Sequence, residues 1–229
     1  MTKYQKTALL LSCIFIPPLF LLFVRAFSTP TYVTSSLYKI VFLLPLVYRY
    51  YFHKKSCWNA LVEGFSFTHF QKYISHALGW GMLFAGLYGS TFFLFKDMLS
   101  FSLISSTLES FASITPANIL FIGLYIIVVN SLLEEFFWRG FFFNELHTLY
   151  GWFAAYVLTA VGFSLYHVAF FYSWFPFGLV LLATLGLFVY SLFMCMLFQK
   201  YQDLFTCWLI HALVDVVQIA IALWLFGLL

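Results

Sequence analysis

Long apolar stretches separated by short polar connections dominate this sequence. A helix that crosses a bilayer needs about 20 mostly apolar residues, and seven stretches approach that length. They lie at about residues 8–24, 37–52, 77–95, 117–142, 152–172, 177–198 and 204–227. The pattern predicts an all-α fold, a polytopic transmembrane helical bundle of about seven spans within a range of six to eight. Because no internal repeat or low-complexity tract divides the chain, we expect residues 1–229 to form a single membrane-embedded domain.

Composition excludes a soluble globular protein. Hydrophobic residues make up 64% of the chain, charged residues 8%, and the mean hydropathy is +0.97. A soluble fold must hydrate its exterior, which requires far more charged and polar surface than this sequence provides. The lipid bilayer is therefore the expected solvent, and the chain is expected to be an integral, polytopic membrane protein.

The first apolar stretch has two interpretations. Lys3 and Lys6 precede it, and Val24 and Ala26 are spaced like a small-residue cleavage site, as in a secretory signal peptide. The same residues also suit a first membrane-spanning helix. Residues 1–26 are therefore either a signal peptide or the first span, and the sequence leaves both open.

Basic residues indicate how the bundle is oriented. Lysine and arginine accumulate in cytoplasmic loops, and here the basic positions alternate between connections, with one set at Lys3, Lys6, Arg49, His53, Lys54, Lys55, Lys72 and Lys200. The basic set therefore predicts a cytoplasmic amino terminus. The net charge of +3 is spread along the loops without a basic stripe, so a nucleic-acid partner is not expected.

Two further features bear on fold and cofactors. The stretch from Cys57 to His76 mixes aromatic and polar residues, which predicts a surface-lying or broken helix on the cytoplasmic face, with a plain connecting loop as the alternative. The four cysteines are far apart and form no CxxC pair, so their spacing predicts neither a zinc site nor a disulfide framework. No cofactor is expected.

Ionisable residues inside the apolar stretches are the strongest functional signal. Each costs several kcal/mol at membrane depth unless it is paired or faces a water-filled cavity. The predicted fourth, fifth and seventh spans carry six of them: Glu134, Glu135, Arg139, His167, His211 and Asp215. Apolar residues would pack at lower cost, so together these residues predict a functional cluster.

Helical spacing predicts some of the partners. Glu135 and Arg139 are four residues apart, so they share a helix face and can form an ion pair. Glu134 lies about 100° around the helix from Glu135 and shares its face with Asn130. It has no cation three or four residues away, so it needs partners from another helix.

The two histidines differ in their predicted partners. His211 and Asp215 are also four apart, so the carboxylate can hold the orientation and tautomer of the imidazole. His167 has no partner on its own helix. At about 1.5 Å per residue, His167 comes out deeper than Glu134 and His211. The three meet only if the fifth helix tilts or starts later, which Gly140 and Gly151 permit.

These residues resemble the motifs of the CAAX protease and bacteriocin-processing family, which includes the type II CAAX prenyl endopeptidases and many bacterial Abi-type proteins. The family's EExxxR motif is matched by Glu134, Glu135 and Arg139, its FxxxH motif by Phe163 and His167, and its HxxxN or HxxxD motif by His211 and Asp215. Each motif is weak alone. Three in order, on separate predicted spans, make a strong resemblance over about residues 117–220.

The resemblance implies an intramembrane peptidase that uses activated water, without a metal. Carried onto this chain, Glu134 would be the general base, His167 would help to hold the water, and His211 would donate to the oxyanion. Asp215 would orient His211, while Glu135 and Arg139 would support the base and the cavity wall. The implied partner is a peptide or protein substrate, whose lipidation stays open.

One position departs from the family pattern. The type II prenyl endopeptidases typically carry asparagine where this chain has Asp215. An ionised carboxylate cannot donate a hydrogen bond to an oxyanion, so Asp215 is either protonated or acts through His211. The substrate of the eukaryotic enzymes is therefore not carried over.

Three alternatives stay open at this point. Two histidines and up to three carboxylates could form the site of a metal-dependent intramembrane protease, although there is no HExxH motif. A non-enzymatic membrane scaffold or immunity protein could keep the polar residues as a clamp between helices. A proton-coupled transporter also uses intramembrane Glu and His, but such transporters are usually longer and internally repeated.

Overall fold

The computed structural model describes residues 3–27, 37–54, 56–62 and 64–229, and in these ranges the chain is helical without β-strands. The helices are α1 (Lys3–Phe27), α2 (Leu44–His53), α3 (Cys57–Val62), α4 (Phe67–Phe95), α5 (Phe101–Ala112), α6 (Ile119–Tyr150), α7 (Trp152–Phe171), α8 (Phe177–Tyr201) and α9 (Leu204–Leu225). Short 3-10 segments cover Leu37–Leu43 and Lys96–Met98. The predicted all-α fold is confirmed.

Within the described ranges, five helices are long and apolar enough to cross a membrane: α4 with its 3-10 extension, α6, α7, α8 and α9. They coincide with the last five stretches predicted from the sequence, which makes the chain a polytopic integral membrane protein. The other two predicted spans, about 8–24 and 37–52, fall on α1 and on the 3-10 segment with α2. Neither is among the five, so the total of seven stays a prediction.

The region around Gly64 corrects one boundary. Gly64 has a φ of +89°, a conformation that suits glycine, and it separates α3 from α4. Ser66 then caps α4 by accepting a hydrogen bond from the His69 backbone N–H at 3.3 Å. The helix is broken in this range, as one form of the prediction had it, and residues 67–76 are the first part of the spanning helix α4 instead of a surface helix. Their polar and aromatic residues suggested an interface because a helix can extend beyond the apolar core of the bilayer.

Close packing of α4 against α9 depends on small side chains. Ala77, Gly81 and Ala85 are buried on α4 at four-residue spacing. A Cβ atom added at Gly81 would clash with the Leu213 side chain and lie 3.3 Å from the Ile210 Cα atom. In a membrane, such close van der Waals packing is a main source of helix association. It fixes the position of α9, which carries His211.

The start of α9 is fixed by a buried carboxylate. Asp203 accepts hydrogen bonds from the backbone N–H of Thr206 at 2.8 Å and from its hydroxyl at 2.7 Å. It also accepts from the Ser66 backbone N–H at 2.9 Å, and the Leu204 N–H donates to the Gly64 carbonyl at 2.7 Å. These bonds tie the beginning of α9 to the beginning of α4.

Helix α6 is the centre of the bundle. All eight residues of Phe136–Phe143 are buried, and they pack against α7, the 3-10 segment Leu37–Leu43 and neighbouring helices. A Cβ atom at Gly162 of α7 would lie 2.8 Å from the Trp138 ring, so glycine lets α6 and α7 approach. The two helices are joined through Gly151 alone, which has a φ of +81°.

Helix α1 also packs into this core. Its Leu10 and Ile14 side chains are buried, it lies against α7, and Thr7 shares a hydrogen bond with Tyr150. The alternative that a signal peptide ends near Ala26 stays a prediction. So does a cytoplasmic amino terminus, and Lys55, one of the residues in that argument, lies outside the described residues.

Candidate active site

Helix α6 changes its winding at the acidic pair. Two π-helical segments, Ile126–Asn130 and Phe136–Phe143, flank a short α-helical stretch, Ser131–Glu135. Each π segment widens the helix, and such segments are frequent at functional sites. Helical spacing alone treated this span as uniform α-helix. The structure instead places both acids between two π segments, with exposures of 3% for Glu134 and 0% for Glu135.

The predicted ion pair between Glu135 and Arg139 is present. Arg139 Nη1 donates to Glu135 Oε1 at 3.0 Å, and both side chains are fully buried. Arg139 Nη2 donates to the Ser191 hydroxyl of α8 at 3.2 Å. The guanidinium also lies 4.6 Å from the centre of the Phe163 ring, a distance typical of cation–π contact. The pair therefore links α6, α7 and α8.

His211 is held by a different carboxylate from the one predicted. Its Nδ1 lies 2.8 Å from Glu135 Oε1, whereas its Nε2 lies 3.8 Å from Asp215 Oδ1. The second distance is too long for a hydrogen bond but lies within ion-pair range, so Asp215 is beside His211 as the four-residue spacing predicted, while Glu135 makes the hydrogen bond. The orienting role of Asp215 stays a prediction. Helical spacing considers only partners on the same helix, and the nearer carboxylate comes from α6. Glu135 thus holds both Arg139 and His211.

Glu134 finds partners on its own helix and on α7. Its Oε1 accepts a hydrogen bond from Asn130 Nδ2 at 2.7 Å, and the Tyr166 hydroxyl lies 3.5 Å away. Its Oε2 lies 3.8 Å from His167 Nε2 and has no hydrogen-bond partner among the described residues. The sequence predicted that Glu134 shares a helix face with Asn130 and needs a partner from another helix, and the structure has both contacts.

His167 has a partner that helical spacing of side chains did not reveal. Its Nδ1 lies 2.8 Å from the backbone carbonyl of Phe163, on the same helix. A carbonyl can only accept, so we assign the proton of the neutral imidazole to Nδ1. The lone pair on Nε2 then points towards Glu134. The carbonyl of Phe163, the first residue of the FxxxH motif, thereby fixes the tautomer of His167, the last residue of the motif.

The depth of His167 is explained by the length of α6. This helix continues to Tyr150 instead of ending near residue 142, and α7 starts at Trp152 as predicted. Glu134 lies 16 residues before the end of α6, and His167 lies 15 residues after the start of α7. The two helices run in opposite directions from Gly151, and the 3.8 Å contact between Glu134 and His167 shows that these side chains reach the same depth. Both side chains are therefore level, without a break at Gly140.

Several buried polar atoms of this cluster lack a hydrogen-bond partner among the described residues. They are Asn130 Oδ1, Glu134 Oε2, Glu135 Oε2, Arg139 Nε and Asp215 Oδ2. Buried polar groups are nearly always satisfied by protein or water. These polar atoms are available to form hydrogen bonds with water and with a polar group of a substrate.

The structure adds neighbours that the motifs did not identify. Tyr166 reaches Glu134, and Ser191 reaches Arg139. The charges of Glu134 and Asp215 also act on Lys39 in the 3-10 segment. Ser191 and Lys39 could have been suspected from the sequence, because each is a polar residue within an apolar stretch. Tyr166 could have been suspected because it directly precedes His167.

The described residues contain no group of three or more His, Cys, Asp or Glu side chains arranged to hold a metal ion. The two described cysteines, Cys195 and Cys207, are free and buried. A cavity of about 280 Å³ lies at another part of α6, lined by Arg49, His53, Asn144, Glu145, His147 and Thr148. None of its lining residues belongs to the cluster around Glu134.

Comparison with known proteins identifies the same segment. Residues 116–217 match the family model described as "Type II CAAX prenyl endopeptidase Rce1-like". No curated protein and no solved structure matches the chain. The matched segment is somewhat less than half of the 229 residues, and it contains the six ionisable residues of the cluster. Residues 116–217, which carry the whole cluster, are thus similar to the Rce1-like type II CAAX prenyl endopeptidases.

Proposed function

We propose that this protein hydrolyses a peptide bond within the membrane with a water molecule activated by Glu134. The observation that carries the proposal is the 3.8 Å separation between Glu134 Oε2 and His167 Nε2. In the assigned tautomer both atoms are hydrogen-bond acceptors, so they do not satisfy each other. A water molecule about 2.8 Å from each of them would donate one proton to the carboxylate and one to the imidazole.

This arrangement suits general-base catalysis. As the water oxygen attacks the carbonyl carbon, one proton moves to Glu134 and the carbonyl electron pair moves onto oxygen. When the tetrahedral intermediate collapses, the C–N bond breaks and Glu134 returns its proton to the amine nitrogen. Such proton transfer typically contributes about 10²–10⁴-fold to the rate. Asn130 and Tyr166 hold the other carboxylate oxygen and so keep Oε2 directed at the water.

His211 is the proposed donor to the oxyanion. Carboxylates lie near both of its ring nitrogens, Glu135 at Nδ1 and Asp215 at Nε2, so the doubly protonated imidazolium matches its surroundings best. Glu135 fixes the ring through Nδ1, which leaves Nε2–H to donate. A pre-oriented donor in a site that excludes water stabilises a developing oxyanion strongly. In this proposal Asp215 supports the charge of His211.

The supporting pair has a separate role. Arg139 is bound to Glu135, Ser191 and the face of Phe163, so it links α6, α7 and α8. Its charge offsets that of Glu135, which already binds His211. We propose that Glu135 and Arg139 position His211 and the cavity wall without exchanging protons with the substrate.

Purified protein in detergent provides the test. A farnesylated CAAX-type peptide, its unprenylated counterpart and a bacteriocin-leader peptide would be incubated with wild type, Glu134→Gln and Glu145→Gln. Glu145 is the matched control because it is another buried glutamate on α6. We expect cleavage by wild type and Glu145→Gln and none by Glu134→Gln. Unchanged cleavage by Glu134→Gln would refute the role of the base.

The same assay separates the remaining alternatives. Loss of cleavage with a chelator, restored by added zinc, would indicate a metal-dependent protease. Failure to cleave any peptide, together with normal folding of all variants, would favour a scaffold or immunity protein. Comparing the farnesylated with the unprenylated peptide tests whether lipidation of the substrate is required.

A further inference from the structure

Helix α8 contributes a residue to this site that none of the three motifs contains. Tyr190 precedes Ser191, the partner of Arg139. Its ring centre lies 6.2 Å from that of His211 and 6.1 Å from that of Phe163. The first contact is with the His211 ring itself, and the second is with a ring that packs against both His167 and His211. Tyr190 therefore belongs to the wall where the oxyanion is proposed to form.

The Tyr190 hydroxyl is not explained by packing. Its oxygen is buried and has no hydrogen-bond partner among the described residues. Tyr190 lies within electrostatic range of Glu135, Arg139 and Asp215. Leaving a buried hydroxyl unpaired costs stability, and phenylalanine would fill almost the same space without that cost.

With Asp215 ionised, the site needs a donor that residue 215 cannot supply. Where the resembling enzymes typically have asparagine, Asp215 is an acid, and its ionised form only accepts hydrogen bonds. An oxyanion next to an ionised Asp215 would be repelled. A neutral O–H group beside His211 would offset this repulsion, because it can donate without adding charge.

We propose that Tyr190 is a further catalytic residue, whose hydroxyl donates a hydrogen bond to the substrate carbonyl oxygen beside His211. This inference rests on the proposed function. During attack by water, the carbonyl π electrons move onto that oxygen, and the Tyr190 hydrogen bond strengthens as negative charge develops. Tyr190 keeps its proton throughout, and Glu134 alone carries the proton from water to the departing amine.

Other buried donors are less suited to this role. The Tyr166 hydroxyl lies beside Glu134 Oε1, on the side of the base. Trp138 Nε1 is also buried without a partner, but its ring packs among Phe137, Phe142, Phe163 and Tyr166. Among these donors, Tyr190 is the one whose ring packs near His211.

The test compares Tyr190→Phe with Tyr201→Phe. Tyr201 is a matched control because it lies on the same helix and its hydroxyl is also buried without a described partner. Its ring packs against Tyr73 and His76, away from the acids. With the farnesylated CAAX-type peptide, we expect Tyr190→Phe to lower kcat by about 10²–10³-fold, as for loss of one oxyanion donor. KM should change little, and Tyr201→Phe should behave as wild type.

A second variant gives an independent readout. Adding Asp215→Asn to Tyr190→Phe places an amide donor at residue 215, so the double variant should recover part of the kcat lost in Tyr190→Phe. A structural role for Tyr190 would give no such rescue. Melting temperatures in detergent should be unchanged or higher in Tyr190→Phe, because a buried unpaired hydroxyl is removed.

The outcomes separate the two proposals. If wild type cleaves, Glu134→Gln does not, and Tyr190→Phe retains full kcat, the role of Tyr190 is wrong and the proposed function stands. A rise in KM with unchanged kcat would also overturn the donor role, since it would indicate ground-state binding. If wild type cleaves none of the peptides, the proposed function itself fails.

Discussion

Helix α6 carries buried acids in two regions that differ in how fully the carboxylates are paired. Near its end, Glu145 accepts a hydrogen bond from the Tyr48 hydroxyl at 3.1 Å and lies 3.5 Å from His53 Nε2. One of its oxygens accepts this hydrogen bond, and the other faces the partly exposed His53 ring. In the middle of the helix, Glu134 and Glu135 each keep one buried oxygen without a described hydrogen-bond partner.

The surroundings of the two regions explain the difference. Glu145 binds α2, and beside it Arg49 donates to the Gly140 carbonyl at 2.5 Å, so this region joins two helices. His53 is 35% exposed, which lets water reach the pair. Glu134 and Glu135 are almost fully buried, where unpaired polar atoms are most costly. A paired acid near the surface suits a helix clamp, and incompletely paired acids in the core suit chemistry.

We expect the largest loss of cleavage rate when Glu134, in the middle of α6, is replaced. Glu134→Gln keeps the shape of the side chain and removes the base, so the rate should fall by about 10²-fold or more. Expression and melting temperature should stay near wild type. Initial rates on the farnesylated peptide, with Glu145→Gln as control, give the measurement. Turnover within a few-fold of wild type would show that Glu134 is not the base.

The next effect concerns folding. Arg139→Ala leaves Glu135 buried without its cation, and removal of one partner of a buried ion pair costs about 3–5 kcal/mol. We expect a sharp drop in folded yield, measured by size-exclusion chromatography in detergent. The matched variant Lys200→Ala removes a basic residue at the last turn of α8 and should fold normally. A well-folded but inactive Arg139→Ala protein would instead place arginine in the chemistry.

Asp215 distinguishes two ways of supporting the oxyanion. Because Glu135, and not Asp215, holds His211 in hydrogen-bond distance, Asp215→Asn should keep substantial activity. Asp215→Ala should lose most of it, since it removes both charge and hydrogen-bonding groups. Rates for the two variants would be measured side by side from pH 5 to 8. An inactive but folded asparagine variant would show that His211 needs the negative charge of Asp215.

We expect the smallest change when Glu145, near the end of α6, is replaced. Glu145→Gln can still accept a hydrogen bond from Tyr48 but loses its charge towards His53. We expect a loss of about 0.5–1.5 kcal/mol in stability and cleavage within a few-fold of wild type. Thermal melts in detergent and initial rates would be compared. If activity falls as far as in Glu134→Gln, the two regions do not differ in function.

The spanning helices and the residue types of the site could be predicted from the sequence. Apolar length sets where helices can cross a bilayer, so α6 to α9 could be located before the structure. Four-residue spacing brought Glu135 to Arg139 and Glu134 to Asn130, because these contacts lie within one helix. The order of the three motifs also identified the family segment.

The contacts between helices could not be predicted from the sequence, because they depend on how the helices pack. His211 reaches Glu135 because close packing against α4 fixes the position of α9. His167 lies at the depth of Glu134 because α6 continues to Tyr150 before the chain turns into α7. The π segments and the place of Tyr190 leave no periodic signal in the sequence. Helical spacing describes positions around one axis, whereas an active site built from α6, α7, α8 and α9 depends on the relative positions of four axes, which only packing sets.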